Sequence, residues 1–179
     1  MLRSRYQGCI DRRFAELQLI LDRSQDGAEV PSPIWVGQPP FWPVSTARWD
    51  TAVGGGRASL IPSSELARYA GVYKSLGFLE EQQEREQQFW SQLRAMEGLR
   101  KAPPEAIQAL RRSLAEARYA DARIKLSAGR ALVEAKNAGV RPGPAEVPGR
   151  RSKVASVCVP LATSRADALR IIQSPFGEP

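Results

Sequence analysis

The sequence of 179 residues contains no histidine and only two cysteines, Cys9 and Cys158. These shortages exclude much chemistry. A structural zinc site takes about four Cys, His or carboxylate ligands. Serine and cysteine nucleophiles usually lean on a histidine base. Neither is buildable here in its usual form, so no catalytic residue, no metal ligand set and no cofactor are expected. No run of about 18 apolar residues occurs, so no transmembrane helix is expected within this sequence. The N-terminus carries charge without the apolar stretch of a signal peptide. As it stands the chain is expected to be soluble, although its first residues can equally be the point where a longer chain was cut. Charge of one sign is in excess, with a net +7. The excess is dispersed, however. "RSRYQGCIDRR" at the N-terminus and "GRRSK" at 149–153 are its only small clusters, so nucleic-acid binding is disfavoured.

What remains is the composition of a soluble globular protein, long enough to bury a core. Residues 2–23 read as a first helix, with Tyr6, Ile10, Phe14 or Leu17, and Leu21 at spacings of three to four. A proline-rich stretch follows, "PSPIWVGQPPFWP". It holds two of the four tryptophans, and Trp49 follows six residues later. Proline breaks helices and central strands. The stretch therefore reads as an extended strap, with Trp35, Phe41, Trp42 and Trp49 as its anchors. The rival reading is a proline-rich ligand for another protein. "STARWDTAV" reads as a short helix closed by "GGG" at 54–56. That triple glycine lacks the following Lys-Ser/Thr of a phosphate loop.

Two long helices follow, over 64–98 and 104–138. In the first, Tyr69, Val72, Tyr73, Leu76 and Leu79 mark one apolar stripe, and Trp90, Leu93 and Met96 another. Between them "EEQQEREQQ", at 80–88, has no apolar residue and reads as a solvated section. In the second, Ile107, Leu110, Leu114, Ala117, Asp121, Ile124, Ala128, Ala131 and Ala135 form a heptad seam broken once, at Asp121. The short "GLRKAPP" connection makes the two antiparallel neighbours. Residues 1–140 then form a helical domain. Residues 141–179 form a Pro/Gly-rich connection and a C-terminal arm with a short helix at 165–173. Ser164 and Asp167 supply a capping box for that helix.

The pattern from "RWDTAV" through "YAGVYKSL" and "FWSQLRAMEGL", then "LRRSLAEARYADARIKLSAGRAL" and "CVPLATSRADALR", resembles an uncharacterised family of short bacterial proteins. The likeness runs from about Trp35 to the end and rests on Trp49, Tyr69, Tyr73, Trp90, Arg94, Arg118, Asp121 and Arg123 among others. It implies an all-helical domain outside the cytoplasm, behind a single N-terminal membrane-spanning helix. This sequence departs from that pattern, because the anchor is missing. The resemblance carries no activity and no catalytic residue.

Three constellations remain. Asp121 sits at a seam position, and a buried carboxylate needs partners. Arg94 or Arg118 is positioned to supply one. Asp121 then either fixes register or serves as a polar switch. Tyr69, Tyr73, Trp90 and Tyr119 read as packing rather than a cofactor box. Cys9 and Cys158 form a bridge if the compartment is oxidising, and are otherwise two unrelated thiols.

The expected fold is all-α: a long antiparallel helical hairpin packed by an N-terminal helix, a Trp/Pro strap and a short C-terminal helix. The expected role is a non-enzymatic structural or protein-interaction module of the bacterial envelope, on the periplasmic face of the inner membrane. The alternative is a basic cytosolic nucleic-acid-associated protein. An enzyme built on Glu97 or Asp121 has little in its favour. The expected partner is a protein, a homo-oligomer being one form of that. Membrane contact is expected only through an anchor absent from this sequence.

Overall fold

The computed structural model describes residues 2–25, 32–99, 101–140 and 154–173. Among these residues the regular structure is all helical. The α-helices are α1 (Gln7–Gln25), α2 (Ala47–Gly54), α3 (Ser63–Leu93), α4 (Pro104–Asn137) and α5 (Arg165–Gln173). The two long ones, α3 and α4, pack together as the expected hairpin.

Local sequence explains the helix ends. Leu2–Tyr6 forms a 3₁₀ turn ahead of α1, with no acidic residue and with Arg3 and Arg5. Cations oppose the positive end of the helix dipole, so the regular helix starts at Gln7, later than periodicity alone implies. Similarly, α3 ends at Leu93 and tightens into a 3₁₀ turn over Arg94–Met96. Gly98 then turns the chain with φ +75°. Pro104 opens α4, where its missing N–H costs nothing. At the other end Gly139 has φ +72°. Its N–H donates to Lys136 O, and that of Val140 to Ala135 O, a Schellman close. At α5 the Asp167 N–H donates to Ser164 Oγ at 3.1 Å and Ser164 Oγ–H to Asp167 Oδ2 at 2.6 Å.

Backbone contacts divide the chain into two compact units. The first comprises Met1–Phe41, Glu86–Tyr119 and Val147–Pro179, and the second Trp42–Arg85 and Ala120–Glu146.

The first unit holds a deep core. Ile10, Phe14, Leu17 and Leu21 form one face of α1. They meet Trp90 and Leu93 of α3, Met96 of the 3₁₀ turn after it, and Ile107, Leu110, Leu114 and Ala117 of α4. Phe14 stacks on Trp90 with ring centroids 5.1 Å apart. Val36 from the strap and Val157 from the C-terminal arm close this core. A smaller cluster gathers Trp35, Val159 and Ala168. Full burial of one such aliphatic or aromatic side chain stabilises by about 1.5–3 kcal/mol.

The second unit is thinner. Its buried apolar side chains are Val72, Ala120, Ile124, Ala128 and Ala131. Trp49 of α2 stacks on Tyr73 of α3 at 4.8 Å. Leu60, Leu126, Leu132 and Val133 remain exposed.

Candidate functional site

The strap runs over residues 32–46 without regular structure. An extended chain of this kind must find partners for its backbone groups outside itself. Its prolines reduce that demand, because Pro33, Pro39, Pro40 and Pro43 bring no N–H. Six of the remaining N–H donors have acceptors outside the strap. In the first unit Ile34 and Trp35 donate their N–H groups to Leu161 O at 2.8 and 3.0 Å. Val36 N–H donates to Glu97 Oε1 at 2.9 Å, and Gln38 N–H to Ser156 Oγ at 3.2 Å. Gln87 Nε2–H donates to Pro39 O at 3.0 Å. In the second unit Gln83 grips one residue twice. Its Oε1 accepts from Trp42 N–H and its Nε2–H donates to Trp42 O, both at 3.1 Å. Glu80 Oε1 accepts from Val44 N–H at 3.3 Å.

This corrects the reading of "EEQQEREQQ" as a solvated section on one face only: Glu81, Glu84, Arg85 and Gln88 are exposed, with Arg85 paired to Glu81. Gln82, Gln83 and Glu86 are buried. Residues 80, 83 and 87 fall on one face of a helix, and that face supplies the polar groups the strap lacks. Glu86, with no exposed surface, accepts from Arg3 Nη1 and Nη2 at 2.9 and 2.6 Å.

The four expected anchors divide. Trp35 is buried, and its Nε1–H donates to Ser156 O at 3.0 Å. Trp42 is half-buried. Phe41 is exposed, which corrects its assignment as an anchor. Extended backbone turns successive side chains to opposite sides, and Phe41 takes the outward turn between half-buried Pro40 and Trp42. Trp49 is half-buried, but on α2 rather than in the strap.

Cys9 and Cys158 form a disulfide that joins α1 to the 3₁₀ turn Ser156–Cys158. One turn along α1 lies Arg13, 1 % exposed. Its guanidinium donates to Trp35 O at 3.0 Å, and also to Val36 O and Val159 O, while Nε–H donates to Glu16 at 2.9 Å. Strap and C-terminal arm are thus tied to α1 by one side chain. Burial lowers the Arg13 pKa below its ordinary value, and Glu16 opposes that shift. A lowered folded-state value means that holding the cation costs stability wherever it is protonated. Arginine stays protonated at ordinary pH, so Arg13 puts no step in stability there.

The polar seam residues do not form the expected cluster. Asp121 is buried and forms an ion pair with Lys125, one turn on, at 2.8 Å. Arg94 Nε lies 3.6 Å from Glu97. Arg118 donates to Phe14 O at 3.0 Å and lies over the Phe14 ring. A lysine at i+4 reaches a seam carboxylate without leaving its own helix, so neither arginine is needed.

One further feature was not singled out by sequence reasoning. The second unit carries an open groove of about 590 Å³ between α3 and α4. Gly71, Lys74, Ser75 and Phe78 line it from α3. Arg123, Leu126, Ser127, Arg130 and Glu134 line it from α4. The Arg123 guanidinium sits 5.1 Å from the Phe78 ring centroid, a cation–π contact. Ser75 Oγ–H donates to Glu134 Oε2. Leu126 is 69 % exposed. The one trace of this groove in the sequence is Leu126, an apolar residue off the buried seam.

Among the described residues no group of three or more His, Cys, Asp or Glu side chains is placed to hold a metal ion. No helix there is long and apolar enough to cross a membrane. Comparison with family models, with curated proteins and with solved structures finds no match.

Proposed function

We propose that the chain is a non-enzymatic protein-interaction module that works in an oxidising compartment, the bacterial envelope. The observation that carries the compartment is the Cys9–Cys158 bridge. Disulfides persist in secreted, periplasmic and surface proteins, and are rare where thiols are kept reduced. The resemblance drawn from the sequence points to the same side of the membrane. The interaction role is supported by the second unit, which buries few apolar side chains and leaves Leu60, Leu126, Leu132 and Val133 exposed, Leu126 and Val133 one heptad apart on α4. Apolar surface of this kind commonly marks a binding face.

The nucleic-acid reading has less support. Arg3 is spent on Glu86 and Arg13 on three carbonyls. Arg12 pairs with Glu16 and donates to Cys158 O. The "GRRSK" cluster lies outside the described residues.

Thiol trapping in intact cells that naturally carry the protein tests the proposal. Without reductant, neither Cys9 nor Cys158 is expected to take up a maleimide, and both should do so after reduction. Two reactive thiols in the cell would contradict it.

A further inference from the structure

We propose that the groove of the second unit receives an acidic amphipathic helix from a different protein. This rests on the interaction-module reading and names the partner's chemistry. The two walls present residues at helical spacing, Lys74 and Phe78 on α3 and Arg123, Leu126 and Arg130 on α4. Small residues, Gly71, Ser75 and Ser127, keep the space between them open. Phe78 and Leu126 give an apolar strip, and exposed Val133 continues it two turns along α4. Apolar anchors one heptad apart match the i, i+7 rows of a helix laid in a groove.

Charge selects the occupant. Lys74, Arg123 and Arg130 face a single carboxylate, Glu134, which is already hydrogen-bonded by Ser75. A helix bearing Glu or Asp beside its apolar row would complement three cations, and complementary charge favours both encounter and register. A second copy of the same groove would set these cations against their own kind, which is destabilising. A nucleic acid would satisfy the cations and leave Leu126 and Val133 facing a phosphate backbone.

The test uses the full, disulfide-intact chain and a fluorescent synthetic peptide of about three heptads. Its a and d positions are leucine and its flanks are glutamate. Saturable binding is expected, weakened at least about tenfold by the pair Arg123→Glu and Arg130→Glu, and separately by Leu126→Asp. Retained helicity of each variant by circular dichroism shows that it folds. A matched peptide with lysine flanks should not bind. The inference is overturned if the lysine peptide binds equally well, or if the charge-reversed variant binds unchanged. It is overturned equally if no binding is seen up to about 1 mM, or if an oligonucleotide or phosphatidylglycerol vesicles occupy the groove more tightly. Photocrosslinking in the natural cell separates this failure from that of the broader reading. An identified acidic helix crosslinked through position 126 supports the inference. A protein captured only through the exposed control position 169 overturns the groove and leaves the interaction role standing. No crosslink from either position overturns both.

Discussion

Gln83 shows how much one side chain carries here. Its amide accepts from the N–H and donates to the carbonyl of the same residue, Trp42. Only an amide offers both functions in that geometry. Gln83→Ala should lower stability by about 1–3 kcal/mol. Gln83→Glu should not restore it, because the isosteric carboxylate turns an oxygen toward the Trp42 carbonyl. Denaturant unfolding of the two variants checks this, and a wild-type midpoint for the glutamate variant would refute it. Gly37 is constrained from another direction. It holds φ +69°, and a Cβ there would lie 2.4 Å from Ser156 O, a backbone atom that cannot step aside. Gly37→Ala should therefore cost about 2–4 kcal/mol, read in the same unfolding experiment. Gly8, where an added Cβ meets nothing within 4 Å, is the control position.

At the scale of elements, the strap and the polar run of α3 are complementary halves of one design. A proline-rich segment cannot pair with itself and has few donors. The glutamines and glutamates of 80–87 replace the missing backbone partners. Trp35→Ala should cost about 3–5 kcal/mol as a buried aromatic truncation. Phe41→Ala should cost clearly less, about 1 kcal/mol, because Phe41 keeps more than a third of its surface in water. Thermal unfolding of the pair distinguishes a one-sided strap from one in which every aromatic is an anchor. The helices and their order were legible from apolar spacing, and α4 and α5 from their caps. Periodicity reports which face of a helix is apolar. It cannot report that another segment covers a polar face, which is why 80–88 reads as solvated throughout although Gln82, Gln83 and Glu86 are buried. The same limit explains Asp121. Its seam position was visible, but choosing Lys125 over Arg94 or Arg118 depends on side-chain reach. Cys9 and Cys158 raised the question of a bridge without deciding it, since two cysteines far apart in sequence say nothing about proximity. The groove went unread because its cations and its two apolar residues each look ordinary singly, and only packing of α3 on α4 makes them neighbours.

On the scale of the whole molecule, the central claim is a division of labour. The first unit is a finished core, stapled by the Cys9–Cys158 disulfide and laced by Arg13. The second buries few apolar side chains and leaves larger ones outside. Local stability follows buried contacts, and surfaces that bind partners tend to come from the less stable end of that range. A continuous helix shared by both units should therefore be unevenly protected along its length. Residue-resolved native-state hydrogen exchange measures this most directly. The account predicts that amides of 88–93 and 108–117 exchange at least about a hundredfold more slowly than those of 67–79 and 124–136. Uniform protection along α3 and α4, or stronger protection around Leu126 than around Trp90, would contradict it.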